Sequence, residues 1–318
     1  MKTVVLGGGF IGSAIARTFA DAGHEVELWV RTAGPSSSGL ATWALPCEAG
    51  PRGPMPIEEP LTRRIHTLRP DLFVLAAGIA SVGDSLAHPG KVFEETVTLA
   101  SRTLHAASVG HPSCRYVTIS SAAVYGNPAV LPVPEDAPIA PISPYGQAKA
   151  MAEQAVRSYA EGRRLRTLIL RPFSVYGEGQ RKLVVAELTQ QLLEPGRDTL
   201  TLQGTGEETR DYLHIDDLAR AVLHLAGLPE FPVGPLNLAS GTSTSIRDMA
   251  ALLQKAAGTS LPLRTRGEPR PGNPDHWQAD VRRLRSLGFS PAIPLAEGLR
   301  RCFDWMAAGR RPEAPARP

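Results

Sequence analysis

The chain predicts an α/β fold, a doubly wound parallel sheet with a smaller C-terminal lobe. Three observations carry that reading. The N-terminus runs strand, glycine turn, helix; Leu72 to Gly78 is an unbroken apolar and small-residue run, as in parallel strands buried on both faces; and strand-like and helix-like segments alternate up to the strand Leu165 to Leu170. With 318 residues, 42% of them hydrophobic and 20% charged, the chain can bury one large core or a core plus a lobe.

Taken in order, Lys2 to Leu6 reads as a buried strand that enters Gly7-Gly8-Gly9-Phe10-Ile11-Gly12. The apolar spacing of Ile11, Ala14, Ile15, Ala16 and Phe19 then predicts a helix, closed by Gly23, and Glu25 to Val30 alternates as the second strand. The Gly7, Gly9 and Gly12 spacing is G-x-G-x-x-G in its mechanical context, with room for a pyrophosphate at the helix N-terminus. The reading is a Rossmann-type dinucleotide unit; a plain turn is the bland alternative. Arg31 follows the second strand, where an acid usually accepts from the adenosine ribose and a cation accommodates a 2′-phosphate. That residue pulls toward NADP, or is a solvated cation stacking on adenine.

Residues 32 to 60 are rich in Gly, Pro and Ser and predict a long, mobile, irregular loop. Beyond it come a short helix from Leu61 to Leu68, the strand Asp71 to Gly78, a long helix from Pro89 to Ala107 and the strand Arg115 to Ser121. Ser143 as N-cap and Pro144 at the first position start a further helix. On it, Tyr145 and Lys149 lie one turn apart on one face. An ammonium so placed favours the phenolate, which makes the pair a candidate general base; a surface pair on an amphipathic helix is the alternative. Ser121 closes its strand at the sheet end where open α/β folds bind ligands, and its hydroxyl can hold a substrate oxygen.

Composition excludes several classes of function. A net charge of +3 with scattered arginines gives no nucleic-acid surface. Cys47, Cys114 and Cys302 are far apart, so neither a metal site nor a disulfide framework is expected, and a reduced cytoplasmic setting follows. No apolar run reaches membrane-spanning length, and residues 1 to 20 lack a signal-peptide pattern.

Together with Ser121, Tyr145, Lys149 and the glycine turn, the segments Leu170 to Gly177, Gly204-Thr205-Gly206, Thr209 to Asp217, Arg270-Pro271-Gly272-Asn273 and Ala279-Asp280 resemble the extended short-chain dehydrogenase/reductase family, in particular its enzymes acting on nucleotide sugars. The resemblance implies Ser121, Tyr145 and Lys149 as catalytic residues. It implies a cofactor, NAD or NADP, held by Gly7, Gly9, Phe10, Ile11, Gly12, Arg31, Ala76, Ala77, Gly78, Tyr145, Lys149 and Pro172. It further implies a nucleoside-diphosphate sugar held by Ser81, Ser121, Ser174, Arg181, Arg210, Arg270 and Asn273, although the arginines could equally pair with surface carboxylates. His214, Asp216 and Asp217 are assigned a structural role.

Departures from the family pattern narrow this. Ala122 and Ala123 stand where sugar dehydratases carry an Asp-Glu pair, which argues against dehydration; the glycine turn is one residue short; and Thr96, Ser174 and Asn273 replace Asn, Asn and Asp. Two reactions stay open: an NAD-dependent 4-epimerase that returns its hydride, and an NADPH-dependent reductase of 4-keto-6-deoxy sugars. A non-catalytic sensor or scaffold is a third reading. The expected organisation is a cofactor domain over residues 1 to 173, with about 205 to 240 returning to it, a substrate lobe over 174 to 318, and a homodimer through the long helices.

Overall fold

The structure, a computed structural model, describes residues 1–31, 40–50, 53–56, 58–79, 81–163, 165–268 and 271–310. Fourteen strands occur among them: β1 (Lys2–Leu6), β2 (Glu25–Val30), β3 (Ala41–Ala44), β4 (Cys47–Gly50), β5 (Gly53–Pro56), β6 (Leu72–Leu75), β7 (Arg115–Ile119), β8 (Arg166–Pro172), β9 (Ser174–Tyr176), β10 (Leu200–Leu202), β11 (Thr209–His214), β12 (Gly234–Leu238), β13 (Ser243–Ser245) and β14 (Leu263–Thr265). Seven of them form the central sheet in the order β12-β8-β7-β6-β1-β2-β3, every neighbour parallel. The chain starts in the interior at β1, builds outward through β2 to β3, then returns to build the other side from β6. That reversal opens a crevice between the C-terminal ends of β1 and β6.

Both faces of the sheet are buried, as the apolar runs require. One face packs Ile15 and Phe19 of the helix Phe10–Asp21 and Leu218, Val222 and Leu225 of the helix Ile215–Gly227 against Val5, Val74 and Val117. The other packs Leu61, Ile65, Leu104 and Val156, from three helices, against Val4, Phe73 and Tyr116. A third core, with Val185, Leu188, Leu200, Met249, Leu253 and Leu299, belongs to the C-terminal part. There β13, β11 and β9 form one small sheet and β10 pairs with β14.

The expectation of an irregular stretch over 32 to 60 is corrected for its described part. Residues 41–44 are the edge strand of the main sheet, residues 47–50 and 53–56 pair antiparallel, and the next helix begins at Glu58. Trp43 explains the edge strand: its ring lies 4.5 Å from that of Trp29, which is fully buried. Residues 32–39 lie outside the described residues. The long helix also differs from expectation. It begins as Pro89–Phe93, passes through a π turn at Glu94–Thr98 and continues as Leu99–Gly110.

Candidate active site

The glycine turn is dictated by close approach. Gly7 has φ of 126°, and a Cβ there would stand 2.7 Å from the Ala77 amide nitrogen; a Cβ on Gly12 would stand 1.9 Å from the Gly7 carbonyl oxygen. Only hydrogen at both positions lets the strand end, the helix and the β6 end meet. Gly9 is different. A Cβ on it would meet nothing within 4 Å, so its missing side chain leaves a cradle at the start of the helix, and among the described residues no side chain caps that helix. Open backbone N–H groups beside an uncrowded glycine fit a pyrophosphate.

A cavity of about 850 Å³ runs from that turn to the C-terminal part. On one side it is lined by Gly9, Phe10, Ile11, Ala76, Ala77 and Gly78, with Ser121, Tyr145, Lys149 and Pro172 at its middle. Ser143 starts the helix Pro144–Arg163 by accepting from the Gly146 amide at 3.1 Å, which fixes where Tyr145 and Lys149 emerge. Lys149 Nζ donates to the Ile119 carbonyl at 2.8 Å and lies 5.9 Å from the Tyr145 ring centre. Burial pushes this ammonium down to about 8, with Glu153 pulling the other way. Ser121 lies two residues beyond β7 as the cap of a short turn, its Oγ accepting from the Ala123 amide at 3.1 Å.

The expectation that Lys149 draws the Tyr145 phenol downward is corrected here. Burial raises the phenol above its ordinary value, and the pull in the other direction comes from the Ser121 hydroxyl. The reason is geometric: the ammonium is spent on the Ile119 carbonyl, and desolvation outweighs it.

Across the cavity stand Ser174, Arg181, Arg210 and Asn273; Ser81 also lines it, at the start of a helix that packs on the Tyr145 helix. Arg210 Nη1 donates to the Thr209 and Asp275 carbonyls at 2.7 and 3.2 Å, and its guanidinium lies over Trp277, 5.7 Å from the ring centre. Among the described residues no carboxylate forms an ion pair with it, so a half-buried cation faces the cavity with charge to spare for an anion. Arg181 is exposed at the cavity wall, and Ser81 caps the helix Val82–Ala87 by accepting from the Asp84 amide. Arg270 lies outside the described residues. Arg31 is not among the lining residues: its Nη1 is 3.0 Å from Glu95 Oε1.

His214, Asp216 and Asp217 are structural. His214 Nδ1 accepts from the Asp216 amide and caps a helix; its Nε2 lies 2.9 Å from Glu178, and Asp217 accepts from the Ala292 and Ile293 amides. Among the described residues no group of three or more His, Cys, Asp and Glu could hold a metal ion. Sequence reasoning missed Trp277 beneath Arg210, and the Lys182 to Asp84 ion pair, 3.3 Å, between two cavity-lining residues. Neither carries a local signal: each gains its place only when segments far apart in sequence meet.

Known proteins resemble this chain in sequence and fold. A UDP-glucose 4-epimerase of Azospirillum brasilense is 33% identical over 96% of this chain and 91% of its own length. The solved structure of a Thermus thermophilus UDP-glucose 4-epimerase in complex with NAD superposes with a TM-score of 0.84 at 26% identity, covering 98% of this chain and all (100%) of the other. A Thermotoga maritima UDP-glucose 4-epimerase with UDP-glucose matches with the same score, identity and coverage. The family model described as the NAD dependent epimerase/dehydratase family matches residues 3–238, from the glycine turn through the Tyr145 helix to the last strand of the main sheet, and the chain belongs to that family.

Proposed function

We propose that this chain is an NAD-dependent nucleoside-diphosphate-hexose 4-epimerase acting on UDP-hexoses, with Tyr145 as its base. The observation that carries the reading is one cavity that holds Ser121, Tyr145 and Lys149 and, across from them, the guanidinium of Arg210, which forms no ion pair with a carboxylate among the described residues. The glycine turn with its Gly9 cradle fits the dinucleotide pyrophosphate, and the nicotinamide ribose is assigned to Lys149, which lines the same cavity. The cofactor, when bound, supplies a hydride acceptor that gives the same hydride back, so the reaction is redox-neutral.

The chain's residues do the rest. Tyr145 takes the proton of the sugar C4 hydroxyl as C4 is oxidised, and returns it after the ketone has turned its other face. Ser121 holds the reacting oxygen and lowers the cost of a charged phenol beside it. Arg210 holds the diphosphate about which the sugar turns, with Arg181, Asn273 and Arg270 assigned to the same ligand. Burial lowers Lys149 to about 8, so at pH 7 it is still mostly the ammonium.

The pairing of Arg31 with Glu95 weighs against the ketosugar-reductase reading, which rested on Arg31 and on the missing ribose-binding acid. The proposal extends to organisation: a cofactor domain over 1–173 joined by 205–240, a substrate lobe over the remaining C-terminal residues, a homodimer through the two long helices, and a cytoplasmic location. No helix among the described residues is long and apolar enough to cross a membrane. The test is mass spectrometry of small molecules released on denaturing the purified protein, together with an assay of UDP-glucose and UDP-galactose interconversion. Stoichiometric NAD and interconversion are expected. Empty protein that binds NADPH and reduces a ketosugar would overturn the reading.

A further inference from the structure

The helix that begins at Pro89–Phe93 widens into the π turn Glu94–Thr98, a kind of insertion that recurs at functional positions. The turn sends two consecutive side chains to different places. Thr96 is buried, its Oγ1 3.6 Å from where a Cβ on Gly78 would sit, a point that Lys149 Nζ also approaches at 3.8 Å. Glu95 instead reaches the tip of β2, where its Oε1 accepts from Arg31 Nη1 at 3.0 Å and lies 3.8 Å from Lys91 Nζ. Its side chain is only 17% exposed. That tip abuts the glycine turn: Val30 Cγ1 lies 2.7 Å from where a Cβ on Gly8 would sit, and Arg31 is the next residue.

In dinucleotide-binding βαβ units the second strand's tip meets the adenosine ribose; an acid there accepts from its hydroxyls, and an arginine accommodates a 2′-phosphate. Here the strand brings a cation, and the acid comes from a helix 64 residues away in sequence. We propose that Glu95 is the ribose acceptor of this chain and Arg31 its holder, so that the pair selects a dinucleotide with a free 2′-hydroxyl. The proposal rests on the dinucleotide-binding reading above. Both cations lie on Oε1, which leaves Oε2 to accept from the ribose. A 2′-phosphate would meet the Glu95 carboxylate and would have to draw Arg31 away from it.

An ion pair with one partner this exposed contributes little to stability, so Glu95→Gln keeps the fold, which an unchanged melting temperature checks. The full-length protein is equilibrated with an equimolar mixture of NAD and NADP, freed of unbound nucleotide and denatured, and the released dinucleotides are counted by mass spectrometry. Wild type is expected to release mainly NAD. In E95Q the NAD to NADP ratio should fall by about tenfold, the size expected for loss of one charge-assisted hydrogen bond, and adding Arg31→Gln should remove the NADP gained. A ratio in E95Q within about threefold of wild type overturns the assignment of Glu95 while leaving the enzyme reading intact. Wild type that takes up neither dinucleotide sinks the enzyme reading itself.

Discussion

The two walls of the cleft are held in place by different physics. Beneath the Tyr145 wall lies a buried polar network. Ser120 Oγ donates to Glu153 Oε1 at 2.6 Å, and Arg171 grips both oxygens of Glu153 at 2.9 and 2.6 Å. Arg171 also donates to the Tyr125 hydroxyl and the Glu135 carbonyl at 2.8 Å, and Tyr125 donates to Asn237 Oδ1 at 2.7 Å. Glu153 and Arg171 are each 1% exposed, and Glu153 sits one helical turn beyond Lys149. Across the cleft, the segment from Gly177 to Leu183 takes left-handed φ at Gly177, Gly179 and Leu183, and among the described residues its ion pair to the other wall is the solvent-exposed Lys182 to Asp84 pair. A buried, fully satisfied network fixes geometry, whereas an exposed pair in high dielectric does not. The lesson is a division of labour: on the proposed function, the wall assigned to proton transfer rests on buried contacts, and the wall assigned to the sugar meets it through an exposed one.

The sharpest way to break that comparison is at the base. Tyr145→Phe removes one hydroxyl from the Tyr145 wall and should lower turnover by about 10²- to 10⁴-fold while sparing ligand binding, measured as kcat against ligand Kd. An unchanged kcat would sink the mechanism.

Next in size is the network. Glu153→Gln leaves the Arg171 guanidinium buried without a counter-charge and should destabilise the fold by about 3–5 kcal/mol in chemical denaturation. A loss below about 1 kcal/mol would show that the wall is held by its apolar packing instead.

Lys149 offers a subtler break, because burial makes it a cost to the fold. Its folded pKa, about 8, lies below the ordinary lysine value of 10.5, so the unfolded chain binds more protons between those values. By linkage, wild-type stability rises with pH across that window. Lys149→Met should therefore be inactive yet more stable than wild type at pH 7, by up to about 3 kcal/mol, and the gain should disappear near pH 10.5. Thermal unfolding of both proteins at pH 7 and pH 10 checks the sign; a variant less stable at pH 7 would mean that the Ile119 contact outweighs desolvation.

How much of this was legible beforehand follows the same division. The sheet, the glycine turn and the Tyr145 helix announce themselves through local signals: an apolar run, a spacing of glycines, a Ser-Pro cap. The edge strand at Ala41–Ala44 did not, because a short strand inside a Gly, Pro and Ser-rich stretch is defined by Trp43 packing on Trp29, a tertiary fact. The Arg31 partner was hidden for the same reason: Glu95 is on another element, and the π turn that delivers it leaves no mark in the apolar spacing. Tyr145 and Lys149 could be paired from spacing, but the direction of the phenol's shift depends on burial and on where the ammonium points.

On the other wall the expected effects are smaller. Arg210→Ala removes the guanidinium over Trp277 and should weaken UDP binding by roughly 10- to 100-fold, with little change in kcat once substrate saturates, because the diphosphate is held alike before and during hydride transfer.

The smallest effect belongs to Asp84→Ala. Its carboxylate is 3.3 Å from Lys182 Nζ, with the two side chains 52% and 75% exposed. Pairs of that kind contribute about 0–1 kcal/mol, so the melting temperature should hardly move. What should move is opening: with the tie between the walls gone, KM should change by less than about fivefold and kcat should hold or rise if release of product through that mouth limits turnover. The backbone amide of Asp84 still donates to Ser81, so the helix start is kept. A loss of stability as large as that of Glu153→Gln would erase the contrast between the walls, since a solvated contact would then be holding the fold as firmly as a buried one.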